Sequence, residues 1–288
     1  METIANTLGL MHESHQYGQH DLQKLRVWRF ANRDEQWPGY WIIYIHGGAW
    51  RDPRRTADDF HASIGHITAS NGDSKIKGFI SLDYRLSPHP DFPQDPNCTE
   101  SSALRDAKHP EHIQDICLGL EFAQKKYQFS DNYILIGHSA GATLAYQLLM
   151  GESVLSERSQ PEVSLPVVII GISGIYDLVQ INARHDGQYA GFIGAAFDKA
   201  HWKSASPAQF EASFRDSWAS GKFTILAWSP EDSLVDEPEI DDMASKLELD
   251  GVNVEVLKDL TDDHDCVWQE GGQVARLVTL ALAKLSTT

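Results

Sequence analysis

The sequence predicts an α/β protein: a mostly parallel central sheet flanked by helices, with lid-like insertions. Three observations carry this. Strand-like and helix-like segments alternate almost throughout the 288 residues, the signature of parallel strands joined by crossover helices. Several strand-like runs, such as Trp41-Ile42-Ile43-Tyr44-Ile45, are continuously apolar, as strands covered on both faces require. At 134–145 one such run passes through Gly137-His138-Ser139-Ala140-Gly141 straight into a helix-like segment. The length suits one domain, 1–288, carrying insertions.

The elements follow in order. Residues 22–30 alternate apolar and polar side chains and predict an early edge strand. Strands are then expected at 41–46, 77–86, 132–139, 164–178, 222–232 and 252–260. Helices are expected at 110–127, with Pro110 near its start, at 140–151, at 239–251 ending on Gly251, and at 267–285. Two stretches break the rhythm. Residues 86–109 are proline-rich with little periodicity, and 178–221 are rich in Ala, Phe, His and Trp. Both follow strands, where open α/β sheets place their ligand crevice, so 178–221 is read as a lid or cap.

Composition narrows the function classes. Apolar residues make up 42% and charged residues 23%, and the formal net charge is −17. So acidic a surface repels phosphate backbones and anionic lipids, which argues against nucleic-acid and membrane partners. The first residues lack the basic start and apolar stretch of a signal peptide, and no apolar run approaches the roughly 18 residues of a membrane span. A cytoplasmic protein is expected. Cys98, Cys117 and Cys266 are too few and too scattered for a disulfide framework.

Four motifs carry chemistry. Gly137-His138-Ser139-Ala140-Gly141 is G-x-S-x-G between a strand and a helix, the pattern that presents a nucleophilic serine on a tight turn. The Ala140 N–H at the helix start can donate to a developing oxyanion. His46-Gly47-Gly48-Ala49-Trp50 follows a strand, and its glycines let the backbone approach a substrate. Gly47 and Gly48 are the expected further donors, and His46 the loop's anchor. Trp50 either packs that loop down or walls the acyl pocket. Asp232 stands at a strand exit and is preferred as the acid over Asp236, which reads as a helix N-cap. His264 lies between the last strand and the last helix, giving the chain order Ser, Asp, His. Asp83 and Arg85 are expected to pair and brace the oxyanion loop. The His-x-x-His spacing at 109–112 and the acidic patch at 262–265 lack a second ligand cluster, so neither a metal nor another cofactor is expected.

With these residues in place, the chain resembles the α/β-hydrolase superfamily, in the branch near hormone-sensitive lipase. The likeness rests on HGGAW (46–50), DYRLSP (83–88), GHSAG (137–141) and DSLVDE (232–237). It is similar, more closely, to the fungal-type kynurenine formamidases (arylformamidases). That likeness adds HGGAWRDP (46–53), Thr56-Ala57-Asp58-Asp59-Phe60, HPEHIQDI (109–116), GHSAGATL (137–144) and SGIYDL (173–178). The resemblance implies hydrolysis of the aromatic formamide N-formyl-L-kynurenine to L-kynurenine and formate, in tryptophan breakdown toward NAD. It carries Ser139, Asp232 and His264 over as the triad, and Gly47, Gly48 and Ala140 as oxyanion donors. The setting Asp262-Asp263-His264-Asp265 is more acidic than the family pattern.

A formyl group needs little room, and Trp50 beside the hole would enforce that. Tyr189, Phe192, Phe197 and Trp202 either stack on the leaving arylamine or pack the lid. A general carboxylesterase would use the same six residues. A non-catalytic receptor on this scaffold would usually have lost a triad member, and this chain retains all three.

Overall fold

The computed structural model describes residues 9–33, 37–69, 73–155, 162–218 and 222–287. Among these residues eight strands form one sheet: β1 (Leu10–Gln16), β2 (Lys24–Phe30), β3 (Tyr40–Ile45), β4 (Ile76–Leu82), β5 (Tyr133–His138), β6 (Val168–Ile172), β7 (Phe223–Ala227) and β8 (Asn253–Leu257). Their order across the sheet is β1-β2-β4-β3-β5-β6-β7-β8. The β1/β2 and β2/β4 pairs are antiparallel, and every pair from β4/β3 to β7/β8 is parallel.

The continuous apolar runs have the cause expected of them. Side chains alternate between the two faces of a strand. In β3, Ile43 and Ile45 enter one core and Ile42 and Tyr44 the other; in β5, Leu135 enters the first and Ile134 and Ile136 the second. The first core is closed by α2 (Glu111–Tyr127) and α3 (Ala140–Met150), the second by α1 (His61–Ala69) and by α9 (Gly272–Lys284). Every residue of α3 is buried, which is why its sequence shows no polar stripe.

Three features differ from the expectations. The edge of the sheet is β1, with residues 24–30 one strand further in; the mixed Leu-Met-His-Glu-Ser-His-Gln of β1 exposes one face and carries little apolar signal. The closing helix is broken at Gly271, with φ of +73°, into α8 (Cys266–Glu270) and α9. The excursion after β6 contains α4 (Leu178–Arg184), α5 (Ala190–Ala196) and α6 (Phe214–Ser217), too short for a periodic pattern to declare them. Residues 219–221 of the expected lid lie outside the described residues. The remaining long helix, α7 (Glu237–Leu249), starts after Asp236.

The expected Asp83–Arg85 pair does not form; Asp83 accepts the Ala57 N–H and lies beside His46. Arg85 instead donates to Asp115 through its backbone N–H, Nε and Nη2, and to Glu111 through Nη1 at 2.7 Å. Asp115 is fully buried and also accepts from Gln23 Nε2 at 2.8 Å. Removing it would leave the half-buried Arg85 guanidinium with Glu111 alone and the buried Gln23 Nε2 without its acceptor. We predict that Asp115→Ala lowers unfolding free energy by about 3 kcal/mol, measured by urea denaturation; a loss below about 1 kcal/mol would show the pair to be dispensable.

Candidate active site

All the sequence-predicted site residues lie beyond the carboxyl ends of the parallel strands, where such sheets hold ligands. Ser139 follows β5 directly, with φ 54° and ψ −123°, a conformation an L-residue adopts only under constraint. Its N–H donates to Ile172 O at 2.8 Å, and its carbonyl accepts from Ala142 N at 2.9 Å. The flanking glycines permit the turn. A Cβ on Gly137 would lie 2.3 Å from Gly141 O, and one on Gly141 would lie 2.2 Å from Ile45 O. Helix α3 therefore starts tight against both β5 and β3, and the serine is lifted into the crevice.

The loop after β3 stands opposite. Gly48 has φ of +91°, Ala49 +49° and Trp50 +59°, so three successive residues are left-handed. Tyr84 holds this loop from below: its hydroxyl donates to His46 O at 3.1 Å or to Gly47 O at 3.2 Å. The Tyr84 ring stacks on His46 at 4.5 Å. Asp83 accepts the Ala57 N–H at 2.7 Å and lies 3.7 Å from His46 Nε2. The Asp-Tyr-Arg segment thus braces the loop through Asp83 and Tyr84. His46 is buried, and burial lowers its pKa, so it serves as a neutral anchor.

His264 Nδ1 meets Asp232 at 2.8 Å to Oδ2 and 3.0 Å to Oδ1, and both side chains are almost wholly out of solvent. Burial alone would raise the Asp232 carboxyl, but the bonds from His264 and from the Val235 N–H hold it below its ordinary value. It therefore stays ionised and fixes the proton of the imidazole on Nδ1. Asp236 is elsewhere: it sits at the N-cap of α7, but its carboxylate takes Arg184 Nε at 2.6 Å. Of the acidic residues beside His264, Asp263 is structural. Asp263 accepts Ser233 N at 2.9 Å, Ser233 Oγ at 2.7 Å and the His264 N–H at 2.7 Å. Ser229 Oγ donates to Asp262 O at 2.7 Å. These bonds lace the acid loop to the histidine loop.

One residue the motif reading left without a role is His138. It is buried, and its Nε2 donates to the carbonyl of His264 at 3.0 Å. A carbonyl only accepts, so Nε2 carries the proton. Burial first, and the neighbouring His264 second, push its pKa down to about 3, so the ring is neutral. Nothing in G-x-S-x-G marks that position, and only the approach of residue 264 reveals it. His138, His264 and Asp265 also form the one set of potential metal ligands, within 4.8 Å of one another, found among the described residues. One nitrogen of each ring is engaged, His264 Nδ1 by Asp232 and His138 Nε2 by a carbonyl.

Ser139 and His264 open onto one crevice of about 380 Å³, with Gly48, Ala49, Ile175, Tyr189, Phe192 and Asp265 among its walls. Gly47 stands behind the wall: a Cβ there would lie 3.0 Å from His138 Nδ1 and from Ser139 Cβ. Ala49, not Gly47, accompanies Gly48 at the crevice. Trp50 does not line it either. Its ring is 0% exposed and meets the Phe197 ring edge-on at 4.9 Å, so it packs the loop down. Of the four lid aromatics, Tyr189 and Phe192 face the crevice, whereas Phe197 and Trp202 are buried in packing. Tyr189 Oη donates to Leu234 O at 2.6 Å, tying the segment after β6 to the acid loop.

Comparison with known proteins now bears on this geometry. A family described as alpha/beta hydrolase fold matches residues 42–267. A kynurenine formamidase-like hydrolase of Fusarium equiseti is 36% identical over 83% of this chain and 82% of its own. Kynurenine formamidases of Aspergillus versicolor (32%; 81% of this chain, 85% of the relative) and Meyerozyma guilliermondii (31%; 92% of each) match as well. The chain belongs to the fungal kynurenine formamidase family of α/β hydrolases. The fold is also that of esterase B from Lactobacillus rhamnosis, with a TM-score of 0.68 at 16% identity over 96% of this chain and 87% of the other. Esterase LipW of Mycobacterium marinum gives 0.67 at 17% identity over 98% and 84%. Among the described residues no helix is long and apolar enough to cross a membrane.

Two predictions follow from the geometry, both read as the rate at which Ser139 is labelled by a fluorophosphonate. Asp232→Asn should slow labelling on the order of 10³-fold or more, while Asp236→Asn changes it less than about threefold; the reverse order would assign the acid to Asp236. His138→Ala should slow labelling about tenfold with little change in Tm, by loosening the loop that carries His264. Unchanged labelling would reduce His138 to packing.

Proposed function

We propose that this protein hydrolyses N-formyl-L-kynurenine to L-kynurenine and formate, through a formyl-enzyme on Ser139. The observation that carries the reading is the joint presentation of Ser139 and an Asp232-bound His264 in one crevice, in a chain of this family. His264 Nε2 takes the Ser139 proton as Oγ bonds to the formyl carbon. The C–N bond then breaks, and the arylamine leaves with that proton. Water, deprotonated by His264, attacks the formyl-enzyme; formate leaves and Ser139 regains its proton. Asp232 keeps the imidazole in the required tautomer and stabilises its charged form.

The N–H groups of Gly48, Ala49 and Ala140 are the proposed oxyanion donors. Gly48 and Ala49 reach the crevice, and Ala140 begins α3 beside Ser139, where the helix dipole adds a positive end. Gly47 contributes the close approach that lets the loop meet the elbow. The segment after β6, through Tyr189 and Phe192, acts as a cap and offers aromatic faces to the arylamine. A place in tryptophan catabolism and a cytoplasmic location complete the proposal, supported by the chemistry of that substrate and by the family.

The test is the absorbance change of the purified protein with N-formyl-L-kynurenine, beside Ser139→Ala. We expect turnover in the parent and a loss on the order of 10⁴-fold in kcat in the variant. Short p-nitrophenyl esters provide the counter-arm. If they exceed N-formyl-L-kynurenine by a wide margin in kcat/KM, the protein is a carboxylesterase.

A further inference from the structure

The crevice at Ser139 does not end at its own wall. Arg51 and His89 also line a second cleft of about 570 Å³ on their far side. Its lining includes Pro88, Pro90, Phe92, Pro93, Leu104 and Ala195, with the polar Gln94, Arg105 and Asp106 among them. We propose that this cleft is a second subsite of the same active site, and that it takes an apolar ring carried on the amine half of the substrate, past the amino-acid group. The inference rests on the formamidase reading.

Three observations carry it. First, the cleft is built by the proline-rich excursion after β4, and that excursion is held in shape. Arg105 Nη2 donates to Phe92 O at 2.7 Å, Gln94 Nε2 to Ala103 O at 2.9 Å, and Arg105 N to Gln94 Oε1 at 2.7 Å. Ser87 Oγ closes its base on Ala107 O at 2.8 Å. A preformed surface loses little ordering entropy when a ring settles on it. Second, the lining is mainly apolar, with several proline faces and Phe92, which suit a flat apolar group. Third, Arg51 stands half-buried at the junction. It makes no ion pair within 4.0 Å among the described residues, and its guanidinium lies 5.8 Å from the Phe192 ring centroid. It is free to donate to the carbonyl oxygen of an ester or amide at that point, as it would to a carboxylate.

The direction is set by the chemistry. A formyl group has no carbon beyond its carbonyl, so whatever reaches the second cleft belongs to the leaving amine. The substrate class is therefore an N-formylkynurenine whose carboxyl is joined to an apolar, ring-bearing group.

The benzylamide of N-formyl-L-kynurenine tests this against its plain carboxamide, which lacks the ring but has the same charge. We expect kcat/KM for the benzylamide to exceed that for the carboxamide on the order of tenfold. Gly191 and Ala195 lie one turn apart on α5 and both face the cleft. A Cβ on Gly191 meets nothing within 4 Å, so Gly191→Trp fills the cleft without straining the backbone; Ala195→Phe fills it from the next turn. Each should bring the ratio of the two amides close to one. A ratio near one in the parent protein, or a high ratio that survives both variants, would overturn the subsite. If N-formyl-L-kynurenine is itself turned over in those cases, only the subsite is lost. If no formamide is hydrolysed while Ser139 still labels, the formamidase reading fails and the subsite with it.

Discussion

The strand-to-helix turn at Ser139 is the constraint from which the rest of the site follows. It holds a non-glycine residue in a conformation that costs of order 1–3 kcal/mol, and it survives because its surroundings leave no alternative. Gly137 and Gly141 remove the two Cβ atoms that would collide with Gly141 O and Ile45 O. The Ser139 N–H is taken by β6. Helix α3, buried along its whole length, is pressed between strands and the next layer. Packing on this scale, spread over two cores, readily exceeds the local strain.

Once the turn is set, three loops converge on it by bonds of different kinds. The loop after β3 is held by Tyr84 and Asp83, from the neighbouring strand end. The loops after β7 and β8 hold each other, through Asp263 with Ser233 and Ser229 with Asp262. His138 then joins the elbow to the histidine loop through a single hydrogen bond to a carbonyl. In this arrangement Asp263, beside His264, is building material. Asp263 turns its carboxylate to backbone and hydroxyl donors, and among the described residues Asp232 is the carboxylate bonded to the imidazole.

The pocket side of the molecule is more open than the machinery. The crevice wall mixes backbone from the loop after β3 with Tyr189, Phe192 and Leu234 from two other excursions. None of those side chains belongs to a long regular element, so their positions depend on short helices and turn bonds. Loop-borne surfaces of this kind are where a fold tolerates change most readily.

The sequence by itself determined the α/β architecture, the strand-to-helix turn at Ser139 and the places in the chain of the loops that carry Asp232 and His264. Those features are written in neighbouring residues: an apolar run, a glycine spacing, a polar residue at a strand exit. The different settings of Asp232 and Asp236 were legible in this way, because a strand end precedes the first and a helix follows the second. Tertiary structure alone decided that Arg85 pairs with Asp115 rather than Asp83, that Trp50 packs on Phe197 rather than facing the crevice, that Ala49 rather than Gly47 stands beside Gly48, and that His138 holds His264. Each of these joins segments far apart in the chain or turns on the direction of a side chain in a left-handed loop. Local periodicity carries no information about either.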